Sequence, residues 1–207
     1  MSKIDLNELS GIQYDVLKEL GNIGAGNATT ALAQMLNKRV DIGVPLVRLC
    51  GFDEISSIMG SEEKVMIGIL LMLSGDVNGM MMFMMEPDIG RNLVNTLMGI
   101  EKEGSDFDEI ELSAVQEVGN IISGAYLRSL SEMTSLRIDV SIPLLQIDMA
   151  GALLSVPAIE FGKIGDKVLL IETQFEGEVN NQNSLTGYYV LVPELDSYNK
   201  ILESLGV

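Results

Sequence analysis

The chain has 207 residues, 47% of them hydrophobic, which is ample for a buried core, and a formal net charge of −17 that disfavours sequence-independent binding to nucleic acid or anionic membranes. Histidine is absent and Cys50 is the only cysteine, which excludes an intramolecular disulfide, a thiolate–imidazole pair and a zinc site of ordinary ligands. A macromolecular partner with a basic face suits this surface better than a phosphate backbone does.

The first fifteen residues, MSKIDLNELSGIQYD, carry three acidic groups and no apolar stretch of signal-peptide length, so no secretory leader is expected. VLKELGNIGAGNATTAL (16–32) has helical periodicity. Val65 to Met85 is the most apolar run, but Ser74, Gly75, Asp76, Asn78 and Gly79 interrupt it, which predicts a hairpin of strands 65–73 and 79–85 turning at Asn78-Gly79 rather than a membrane span. Its methionines, Met80, Met81, Met82, Met84 and Met85, are expected to fill the core. DIGRNLVNTLMG (88–99) is a short amphipathic helix, and the acidic segment EKEGSDFDEIELS (101–113) follows, its carboxylates suited to the positive end of the next helix dipole. AVQEVGNIISGAYLRSL (114–130) is then a second long helix, and IPLLQIDMAGALLSVP (142–157) is mainly apolar. Strand-like runs at 168–175 and 187–193 enclose a polar, turn-rich loop, EGEVNNQNSLTG (176–187), before a last amphipathic helix, DSYNKILESLGV (196–207).

The chain is written twice. An offset of 98 residues aligns the two long helices without a gap, with identities Glu19/Glu117, Gly21/Gly119, Asn22/Asn120, Ile23/Ile121, Gly26/Gly124 and Leu32/Leu130, and the register continues to Pro45/Pro143. At the closing helices the offset has grown to 108, which places an insertion in the 176–187 loop. The expected architecture is α+β: a single domain over 1–207 made of two homologous halves, 1–100 and 101–207, related by pseudo-two-fold symmetry. Each half would hold a long helix, antiparallel strands and a short closing helix.

On a helical wheel, Leu17, Leu20, Gly24, Ala28, Ala31 and Met35 gather on one side of the first long helix, and Glu19, Asn22 and Gly26 on the other. The second helix turns Val115, Val118, Ile122, Tyr126 and Met133 inward and Glu117, Asn120 and Gly124 outward. Ala25 and Thr29 are expected to flank the first motif, and Ser123 and Leu127 the second, so that access to the two differs. Exposed Glu and Asn on one helix are ordinarily just solvated. Asn, however, is a poor helix former, and each interior glycine costs roughly 1 kcal/mol against alanine, so a duplicated pattern of both needs an offsetting use. A phosphate-cradling glycine loop is excluded because the glycines sit inside a helix already under way, with no preceding strand and no Lys-Ser/Thr pair.

These two segments, ELGNIGAGNATTAL and EVGNIISGAYLRSL, resemble the signature helices of the CheC, CheX and FliY family of phosphatases. Glu-x-x-Asn is intact in both halves, as in the two-site members of the family and unlike single-site CheX. FliY adds a flagellar-switch domain, for which no room is expected here. The resemblance implies a chemotaxis hydrolase, cytoplasmic and monomeric, acting on the aspartyl phosphate of the response regulator CheY-P. Glu19 and Glu117 would pair with a lysine of the regulator, and Asn22 and Asn120 would orient the attacking water. No cofactor of its own is implied, since Mg²⁺ would belong to the regulator. The resemblance further implies binding of the deamidase CheD, with Asp148 at the position of an acidic contact. Two other readings stand beside it: a non-enzymatic adaptor holding CheY-P and CheD on the same surface, and a duplicated scaffold of the flagellar switch assembled stably with motor proteins.

Overall fold

The computed structural model describes residues 8–104, 106–161, 167–177 and 185–207. The first half runs α1 (Gly11–Leu36), β1 (Val40–Ile42), β2 (Leu46–Gly51), α2 (Phe52–Ile58), β3 (Val65–Gly75), β4 (Gly79–Met85) and α3 (Pro87–Met98). The second repeats that order as α4 (Glu109–Thr134), β5 (Ile138–Val140), β6 (Leu144–Met149), α5 (Ala150–Phe161), β7 (Lys167–Gly177), β8 (Leu185–Pro193) and α6 (Leu195–Ser204). The fold is the expected duplicated α+β arrangement, with one addition: each half carries a third helix, α2 or α5, between its long and closing helices. Neither stands out by periodicity, because α2 is only two turns long, with Ile55, Ile58 and the capping Met59 toward the core, and α5 is apolar on nearly every side, with Pro157 inside it. The segment 178–184, the centre of the predicted insertion, lies outside the described residues, and its flanks 176–177 and 185–187 are strand.

The long helices are built alike from their ends inward. Each has 26 residues and opens on a capping box, Ser10 with Gln13 on α1 and Asp108 with Glu111 on α4, so that two orphan N–H groups are satisfied at each start. Each ends at a left-handed residue, Asn37 or Ser135. The α4 start falls inside the 101–113 segment, whose acidic residues cap it as expected.

The eight strands among the described residues form one antiparallel sheet in the order β1-β7-β8-β4-β3-β5, with β2 also on β7 and β6 also on β3. The halves therefore exchange their edges: β1 and β2 of the first pair with β7 of the second, and β5 and β6 of the second pair with β3 of the first. At the centre β4 pairs with β8, and Met82 faces Val190, its own equivalent at the offset of 108, so the pseudo-two-fold axis passes through that pair.

Alternate sheet residues enter two cores. Met81, Phe83 and Met85 pack with α1, α3, α4 and α6 on one face, whereas Met80, Met82 and Met84 pack with α2 and α5 on the other. The methionines are thus core, as expected. Among the described residues no helix is long and apolar enough to cross a membrane. The buried arc of the long helices is wider than one wheel stripe, because each packs on the sheet and on its twin. Ala25, Thr29, Ser123 and Leu127 are consequently buried and do not flank the motifs, while Ala31, Met35 and Met133 are only half-buried.

Candidate functional site

Glu19 and Glu117 are exposed on the outer side of the helix layer, and Asn22 and Asn120, one turn further on, are half-buried beside them. The glycines around them divide by use. A Cβ on Gly21 would lie 2.7 Å from Val47 Cγ2, one on Gly119 would strike Ile69, and one on Gly24 would strike the Tyr126 ring. These three let the helices lie close on the sheet and on each other. Gly26 and Gly124 face open space, with nothing within 4 Å of an added Cβ. Packing does not explain them, and the smooth surface they leave lies next to the asparagine.

The second site is a shallow groove of about 480 Å³ between α4 and the β5–β6 loop, lined by Ser113, Gln116, Glu117, Asn120, Val140, Ser141, Ile142 and Pro143. Asn120 Nδ2 lies 3.4 Å from Glu117 Oε2, a long hydrogen bond on the exposed face that links the amide to the carboxylate. Gln116 Nε2 donates to the Pro143 carbonyl at 2.6 Å and ties the loop to the helix. At the first site the Asn22 Oδ1 atom is buried and accepts no hydrogen bond among the described residues. A buried, unpaired amide oxygen is costly, which marks Asn22 as retained for something other than stability. In the core between the long helices and the sheet the phenols of Tyr126 and Tyr189 stack at 5.3 Å, and burial pushes both up beyond their usual range, so they remain neutral packing groups.

Asp148 is exposed on β6, its Oδ1 accepting from the Met149 N–H at 2.8 Å. In register it faces Met66, which belongs to the α2–α5 core, so Asp148 lies on the opposite side of the sheet from both Glu/Asn pairs. The structure therefore brings each Glu to its own Asn and keeps Asp148 apart from them. The groove residues Gln116, Ser141 and Ile142 were not singled out from sequence, although the repeated Pro45/Pro143 pair beside them was a signal that this turn matters.

The CheC-like family profile matches residues 12–47 and 110–145, each span covering a long helix and the turn that follows it. The CheY-P phosphatase CheC of Bacillus subtilis is 32% identical over 97% of this chain and 97% of its own length. The chain belongs to the CheC-like family. The flagellar motor switch phosphatase FliY of Bacillus subtilis is 30% identical over 69% of this CheC-like chain and 38% of its own length. The crystal structure of Thermotoga maritima FliY superimposes with a TM-score of 0.74 at 26% identity, covering 95% of this chain and 97% of that one.

Proposed function

We propose that this CheC-like chain hydrolyses the aspartyl phosphate of phosphorylated CheY, the activity named for its Bacillus subtilis relative, at two sites. The observation that carries the reading is the duplicated outer face itself: an exposed carboxylate beside a half-buried amide and a cleared glycine surface, the last two kept at a cost to the helix. Glu19 and Glu117 dock a lysine of the regulator. Asn22 and Asn120 enter the regulator's phosphorylation site, where the amide hydrogen-bonds a water and holds it in line with the scissile P–O bond. Attack by that water forms the new P–O bond, the aspartyl oxygen leaves as carboxylate, and inorganic phosphate is released. Holding a water in attack geometry supplies rate without an acid–base residue, which suits a chain lacking histidine. Mg²⁺ belongs to the regulator. The reaction places the chain in the cytoplasm, and Asp148, exposed on the far side of the sheet, leaves CheD a docking face that does not compete with CheY.

The test is the lifetime of phosphorylated CheY with and without the protein. Shortening by catalytic amounts supports the reading. An unchanged lifetime at excess protein, with and without CheD, overturns it, and tight binding without turnover would make the chain a non-enzymatic adaptor.

A further inference from the structure

Single exposed apolar side chains are common on protein surfaces and carry no argument by themselves. Here they recur at the repeat offset. Val44 and Ile142 occupy equivalent places in the β1–β2 and β5–β6 loops, and are the two most exposed large hydrophobic residues described, at 86% and 82%. The two loops are held in equivalent positions, since Leu46 pairs with Glu172 as Leu144 pairs with Leu70, and Val40 with Gly177 as Ile138 with Gly75. Ile142 and Val140 form one wall of the groove that also holds Glu117 and Asn120. Its backbone is braced. Ser141 N–H donates to the Met72 carbonyl at 3.0 Å, the Met72 N–H donates to Ser141 Oγ at 3.0 Å, and Gln116 holds Pro143. An apolar side chain presented on a pre-ordered turn forfeits little entropy when it is covered.

We propose that Val44 and Ile142 are apolar docking prongs, one per site, that seat on the receiver domain of phosphorylated CheY beside its phosphorylation site and set affinity for the regulator. The inference rests on the phosphatase reading for its partner. The occupant follows from continuity: whatever places a phosphoryl group at Asn120 must also cover the wall of the same groove. The prong is a docking contact, not a catalytic residue. Its loss should raise KM and leave kcat unchanged, since it touches neither water nor phosphorus.

The experiment uses the full chain with Glu19→Lys/Asn22→Ala, so that only the second site docks and turns over CheY, and adds Ile142→Ser. KM and kcat for phosphorylated CheY from the same genome are measured, along with Kd for the same CheY activated by beryllofluoride. Ile159→Ser, at a 69% exposed position on α5 away from the groove, is the control. Burying an isoleucine predicts that Ile142→Ser raises KM and Kd roughly tenfold, with kcat retained and the control unchanged. Unchanged KM and Kd, a fall in kcat at constant KM, or an equal effect of Ile159→Ser overturns the prong while leaving the phosphatase reading intact. Weakened binding by Ile142→Ser in a protein that never shortens the phospho-CheY lifetime supports the prong and overturns the phosphatase. Absence of both binding and turnover overturns both.

Discussion

Asn22 weakens its own helix twice, through poor propensity and through an amide oxygen buried without a partner. Asn22→Ala is therefore expected to leave the thermal midpoint unchanged or raise stability by up to about 1 kcal/mol, while removing the first site's turnover. A loss of stability in a melting experiment would show that the amide has a structural partner after all. The double variant Asn22→Ala/Asn120→Ala should still bind phosphorylated CheY but hydrolyse it hardly faster than CheY does alone. Wild-type turnover by that folded variant would move the chemistry elsewhere on the chain. The carboxylates act differently. Both are exposed, so Glu19→Lys/Glu117→Lys should keep the fold and, if they dock as proposed, weaken the complex by roughly tenfold or more, read as Kd in a titration, because a like charge would then face the regulator's lysine.

At the scale of the element, one helix carries two kinds of glycine, and substitution separates them. Gly119 lies against Ile69, so Gly119→Ala overpacks the helix–sheet contact and should cost roughly 1–3 kcal/mol in urea unfolding. Gly124→Ala meets nothing and should gain about 0.8–1 kcal/mol of helix propensity. Enlarging that outer position to Gly124→Leu should keep the fold and block regulator access, visible as lost binding at the second site. If Gly124→Leu bound and turned over CheY as wild type does, the cleared surface would not be part of the interface.

At the scale of the molecule, the edge strands of each half pair only with the other half, so neither half can satisfy its own sheet. Residues 1–100 expressed alone are expected to be unfolded or to self-associate, using a second copy in place of the missing half; a folded monomer by ultracentrifugation and circular dichroism would contradict this. The junction between halves holds a buried ion pair, Arg91 Nη1 to Glu111 Oε1 at 2.7 Å, with Lys102 at 2.9 Å from the same oxygen. The hydrogen bond from Arg91, aided by the Asp108 N–H and Lys102, lowers the Glu111 carboxyl from 4.5 to about 2. In the unfolded chain it titrates normally, so the unfolded state binds the extra proton between those values. The stabilisation is then complete above about pH 4.5 and is lost as the pH falls through about 2. Urea midpoints measured from pH 5 to pH 2 should fall more steeply for wild type than for Glu111→Gln, and parallel profiles would show that Glu111 is not so perturbed.

The repeat, the long helices, their inward and outward faces and both Glu-x-x-Asn motifs were legible in the chain itself. Helical periodicity and capping residues are local properties, and a duplicated motif at a fixed offset stands out without any tertiary knowledge. Only the tertiary structure decided that β2 joins β7 and β6 joins β3, since strand partners are chosen across a hundred residues by shared hydrogen bonding that no local pattern records. Equally non-local were the burial of Ala25, Thr29, Ser123 and Leu127, which follows from each helix packing on two neighbours at once, and the assignment of Asp148 to the opposite face through its register with Met66. The groove belongs to the same class. Asn120 and Ile142 are far apart in sequence and share a wall because the β5–β6 turn folds back onto α4, where Gln116 pins it.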